Sequence, residues 1–254
     1  MNGKSTLLMR MVLHAGVLVL LFGCASYTTV REHPEFASRR GAIRTAMLVL
    51  PTAEVTRRYS DGSDEALVDP SMRAAKDLSV LVAEELSRRG FEVKSGTFED
   101  SSIDGSKKED SPTTSIKRMH EELAIAMYGR EPLPESRARD FRFSLGPEFA
   151  EFAKQAPANA YVFVLYREFR RTAADSASET GQKLLIGMLT AGLVIPPKDP
   201  SGWAVLQVTL IDGATGDVLW GNQVTESSFS LVTEPDFHDD TKDMVADLFK
   251  PFPR

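Results

Sequence analysis

Beyond its amino-terminal segment, two stretches of this 254-residue chain are apolar without a break: Ala46-Met47-Leu48-Val49-Leu50, closed by Pro51, and Ala-Tyr-Val-Phe-Val-Leu-Tyr from Ala160 to Tyr166. Runs this short, rich in β-branched and aromatic residues, read as strands buried on both faces. A sheet with such strands at its centre needs cover on each side. The fold class that follows is α/β (α+β): a mixed sheet with flanking helices.

The intervening pattern supplies those helices. Asp69 and Pro70 read as an N-cap and first helical residue, and Ala75, Leu78, Leu81, Val82 and Leu86 share one helical face. Arg88, Arg89 and Gly90 close the helix, with positive charge in its last turn and glycine beyond. Phe91 to Val93 begins a second strand. Strand, helix and strand in that order predict a β-α-β start: a parallel pair joined by a right-handed crossover, with its first strand over 43–50.

Residues 99–114 are too polar to bury a core and read as a mobile loop. A helix is expected over about 115–128, irregular chain over 129–145, and a short helix over 146–155 with Phe149, Phe152 and Ala153 inward. Trp203 to Ile211 and Val218 to Val224 form a C-terminal β-hairpin around the turn Asp212 to Asp217. The final helix is expected over 239–249.

The amino terminus has another character. Lys4 and Arg10 precede an apolar run from Met11 to Phe22, the length of a signal-peptide core and too short to span a bilayer comfortably. It ends on Leu21-Phe22-Gly23-Cys24-Ala25, which resembles the lipobox of bacterial lipoproteins. The resemblance implies cleavage of 1–23 as a signal peptide and a palmitate-type lipid on Cys24. Ala25 after the cysteine implies the outer membrane. Residues 24–42 then read as the lipidated cysteine and a tether; a coil of about 18 residues would reach roughly 24 Å. Residues 43–254 are expected as one globular domain with an apolar insertion at 184–195.

Charge and motifs exclude several classes of function. Removing Lys4 and Arg10 takes the formal net charge from −6 to −8, which disfavours nucleic acid as a partner. Cys24 is the only cysteine, so its alkylation leaves no thiol for a disulfide, a metal or catalysis. His33, His120 and His238 lack metal-ligand spacing, and no nucleophile elbow or phosphate loop follows the apolar run. The turn at Asp212 lacks the twelve-residue ligand spacing and closing glutamate of a calcium loop. Asp236, His238, Asp239 and Asp240 read as a solvated helix cap. No enzyme, metal or cofactor beyond the lipid is expected.

The stretches AMLVLP, LVAEELSRRGFEV, ANAYVFVLY and LIDGATGDVLWGNQV, spanning about 43–224, resemble a group of envelope lipoproteins. Their fold is shared with the periplasmic domain of the curli secretion channel and the amino-terminal domain of TolB. The resemblance implies a non-catalytic accessory or assembly factor of a cell-envelope complex in secretion, transport or envelope maintenance. The alternative it implies is a self-assembling ring or pore. In either case the domain sits on the periplasmic side, held to the membrane by the lipid, with an envelope protein or further copies of itself as partner.

The segment 184–195 fits none of the elements above. Its residues Leu184, Leu185, Ile186, Met188, Leu189, Leu193, Val194 and Ile195 form a candidate interaction surface. As a helix, twelve residues extend about 18 Å, short of the roughly 30 Å apolar core of a bilayer. A buried element of the domain, a partner contact and a bilayer contact are its three readings.

Overall fold

The structure is a computed structural model that describes residues 27–59, 61–96, 112–129, 140–154, 157–171, 202–228 and 237–253. The chain opens with strand β1 (Tyr27–Glu32), helix α1 (Phe36–Arg39), a 3-10 turn (Arg40–Ala42) and strands β2 (Thr45–Val49), β3 (Thr52–Arg58) and β4 (Asp64–Ala66). Helix α2 (Val68–Arg88), strand β5 (Glu92–Gly96) and helices α3 (Pro112–Tyr128) and α4 (Pro147–Ala153) follow. Strands β6 (Ala160–Arg171), β7 (Gly202–Asp212) and β8 (Val218–Ser228) and helix α5 (Phe237–Phe249) complete the described elements.

The eight strands form one mixed sheet in the order β1-β8-β7-β6-β2-β5, with β3 also beside β6 and β4 beside β3. β2 lies parallel to both β5 and β6, so the β-α-β start and its parallel pair are observed. The hairpin is antiparallel, with Trp203 opposite Ser227 and Leu206 opposite Val224.

β6 is buried on both faces because it has neighbours on either side and helices above and below. Ala160, Val162, Val164 and Tyr166 join Leu78, Leu81, Val82 and Leu86 of α2 and Met244, Val245, Leu248 and Phe249 of α5 in one core. Tyr161 and Phe163 point the other way, into a second core with Ile116, Leu123 and Met127 of α3 and Phe149 and Phe152 of α4. Period-two alternation thus splits one apolar run between two cores. Each large side chain so buried is worth about 1.5–3 kcal/mol.

Several boundaries differ from the sequence expectation. The proposed tether over 25–42 is largely part of the fold: β1 pairs antiparallel with β8, and Phe36 is completely buried beneath Phe252. Backbone pairing to an open sheet edge needs no apolar pattern, which is why β1 lacks a periodic signal. Pro51 does not end the pairing either. Leu48 pairs with Val162 and Thr52 with Leu165, so four steps on one strand match three on β6. That is a bulge at Leu50-Pro51, where proline's missing N–H costs no ladder bond. β3 then continues along β6.

Helix α2 begins at Val68, so Asp69 lies in its first turn rather than at the cap, and Ala74 rather than Ala75 is buried. Residues 112–114, placed in the loop, belong to α3; the remainder of the loop at 99–111 lies outside the described residues. β6 runs five residues past Tyr166, and α5 starts two residues before Asp239.

Candidate functional site

Cys24 and the segment 184–195 both lie outside the described residues, but the elements bordering them are placed. Tyr27 stands opposite Thr225, Thr225 opposite Val205, Val205 opposite Arg167, and Arg167 opposite Glu54. These five residues form one row across the sheet. Arg170 and Gly202 are paired, so the chain holding 184–195 leaves β6 and enters β7 at neighbouring positions. The chain that follows Cys24 and the chain that contains the apolar segment therefore meet the sheet toward the same end.

The side chains there form several separate ion pairs and aromatic contacts, distributed over both faces of the sheet. Arg58 donates from Nε and Nη2 to the two Asp64 oxygens at 2.7 and 2.8 Å, which holds the Asp64 carboxyl below its usual range. Arg57 lies 3.4 Å from Glu65, and Arg167 lies 3.5 Å from Glu54. Glu168 is buried and accepts from Arg170 and, at 2.8 Å, from the Tyr166 hydroxyl. The Arg58 guanidinium sits 4.7 Å from the centre of the Phe169 ring, whose other neighbour is Trp203 at 5.1 Å, edge to face. Most of these contacts were missed in the sequence. The Asp61-Gly62 pair between β3 and β4, with Gly62 at φ +85°, is the signal that could have found the hairpin.

A second polar group lies deep under α3. Phe163, Thr209, Gly221 and Arg31 form another row across β6, β7, β8 and β1. The imidazole of His120 stacks on Phe163 at 4.8 Å and its Nε2 is 3.1 Å from the Thr209 hydroxyl. Two turns later in α3, the Tyr128 hydroxyl occupies the space a side chain at Gly221 would fill, 2.8 Å from that Cβ position. Eight helical residues rise about 12 Å, close to the roughly 10 Å of two strand spacings, so α3 crosses the strands along this row. Burial lowers the His120 pKa to about 3 and raises that of Tyr128. Neither group is ionised near neutrality, and neither is exposed to a substrate.

At the opposite end of the sheet, the β7–β8 turn is built by its own side chains. Asp212 accepts the N–H groups of Ala214 and Thr215 at 2.8 and 3.2 Å, and Gly216 takes φ +77°. Arg39 lies 3.6 Å from Asp212 and 3.4 Å from Asp217. Both carboxylates are thus committed to the turn and to Arg39. Among the described residues, no group of three or more His, Cys, Asp or Glu side chains could hold a metal ion. The side chains of Asp236, His238, Asp239 and Asp240 lie outside the described residues.

No protein-family model and no curated protein matches the chain. Among solved structures, it is similar to the PelC dodecamer from Paraburkholderia phytofirmans, at 10% identity and a TM-score of 0.39, over 89% of this chain and 96% of that one. A leucine-to-methionine variant of the same dodecamer aligns over 90% and 97%, at 10% identity and a TM-score of 0.37.

Proposed function

We propose that this chain is a bacterial envelope lipoprotein, cleaved before Cys24 and held by lipid at the outer membrane with its domain in the periplasm. It acts without catalysis, as an accessory or assembly factor of an envelope complex. The observation that carries the reading is the spacing between anchor and fold. Only Ala25 and Ser26 separate the lipobox cysteine from β1. Acyl chains contribute about 0.8 kcal/mol per buried methylene, so a multiply acylated cysteine is a lasting anchor. A domain tied that closely works at the bilayer surface.

The apolar segment 184–195 is the contact surface in this reading. The strands before and after it pair through Arg170 and Gly202 toward the anchored end, and apolar stretches of this size are seldom left bare. Cross-linking in intact cells, with mass spectrometry of the adducts, tests the role. A repeated adduct with one envelope protein is expected. Ladders of this chain alone would contradict it in favour of a self-assembling ring.

A further inference from the structure

We propose that the end of the sheet carrying the β3–β4 turn, the end of β6 and the start of β7 faces the bilayer, while the β7–β8 turn points away. The inference rests on the lipid at Cys24 and adds an orientation and a contact surface to that reading. Three residue steps join Cys24 to Tyr27, which span at most about 11 Å of extended chain. Tyr27 shares a row with Val205. From Val205 to the turn at Asp212 the strand advances seven residues, or about 24 Å. The anchor is too short for the turn end to rest on the membrane. In the other direction, the strand advances about 10 Å from Val205 to Gly202 and about 14 Å from Arg167 to Arg171, beside the last residue of β3, which brings this end to within a few ångströms of the anchor's reach.

Among the described residues, the chemistry of this end fits an interfacial surface of low net charge. Arg57, Arg58, Arg167 and Arg170 each face a carboxylate, of Glu65, Asp64, Glu54 and Glu168 respectively. The charges of these four arginines are answered within the protein, so they do not need anionic headgroups as partners. Tyr59 and Trp203 are half-buried there, and Trp203 leans on Phe169. Amphipathic rings of this kind settle at the level of the headgroups. The partner surface is therefore a bilayer that can be wholly zwitterionic.

The test uses the full lipidated protein on phosphatidylcholine vesicles. Single spin labels are placed through Ser63→Cys at the β3–β4 turn, Thr28→Cys on the β1 edge and Ala214→Cys at the β7–β8 turn. All three positions are exposed, and Cys24 is the only native cysteine. Collisions with oxygen and with a water-soluble nickel chelate rank the labels by distance from the bilayer. The label at 63 should be the most protected from nickel and the label at 214 the least, with the ranking unchanged by salt or by added phosphatidylglycerol. A label at 214 or 28 closest to the membrane overturns the orientation alone. A ranking that requires phosphatidylglycerol overturns the neutral surface. Unlabelled protein that fails to float with vesicles overturns the anchor, and the orientation with it. Quenching of Trp203 by brominated acyl chains, absent in Trp203→Phe, reads the same contact without labels; equal quenching in both proteins contradicts it.

Discussion

The Nε2 atom of His120 lies 3.1 Å from the Thr209 hydroxyl, in the buried layer between α3 and the sheet. Burial holds this histidine's pKa at about 3, against 6.5 for an exposed one. The folded protein therefore keeps the ring neutral where the unfolded chain protonates it. The contribution to stability is complete above about pH 6.5 and is lost as pH falls toward 3, by up to about 1.4 kcal/mol per unit. Urea unfolding at about pH 7 and about pH 5 checks the slope. His120→Gln, which keeps a hydrogen-bonding side chain but does not titrate, should flatten it.

Gly221 and Tyr128 make a paired prediction. An added Cβ at Gly221 would meet the Tyr128 hydroxyl at 2.8 Å, and among the described residues that hydroxyl has no hydrogen-bond partner. Gly221→Ala should cost about 1–3 kcal/mol by overpacking. Tyr128→Phe removes an unsatisfied buried group and should be neutral or stabilising alone, and it should restore much of the loss in the double variant. Thermal unfolding of the four proteins in the cycle measures the coupling.

The Asn222 side chain donates to the Leu248 carbonyl at 2.6 Å and is completely buried. It fastens the end of α5 to β8, beside the stacked Trp220 and Phe249 rings. Asn222→Leu strands that carbonyl and should cost about 1–3 kcal/mol. Hydrogen exchange should rise first in α5, where the lost bond acts.

How much of this was legible from sequence follows the kind of force at work. Ala46 to Val49 and Ala160 to Tyr166 announced the central strands because burial on both faces leaves an unbroken apolar run. The turn at Asp212 to Asp217 was legible because its chemistry is local: Asp212 bonds to residues two and three positions on. β1 was not, since its place depends on backbone pairing with Trp220 to Thr225, almost two hundred residues away. The row joining His120 to Thr209 was also hidden. A lone histidine on a helix face shows nothing of the threonine it meets 89 residues later. The anchor at Cys24 and the segment 184–195 were read from sequence, and the fold contributes the end of the sheet to which their neighbours belong.

Leu185→Asp with Leu189→Asp tests the contact role of the apolar segment. The expected outcome is unchanged cooperative unfolding with loss of the cross-linked partner. A loss of cooperative unfolding would instead assign the segment to the core.

The claim on which the rest depends is the lipid on Cys24, and the intact mass of protein extracted from membranes tests it most directly. The expected species is a chain beginning at Cys24 with the added mass of a diacylglyceryl group and an amide-linked acyl chain, with no such species from Cys24→Ala. A chain that retains Met1, or one cut elsewhere and free of lipid, would contradict it.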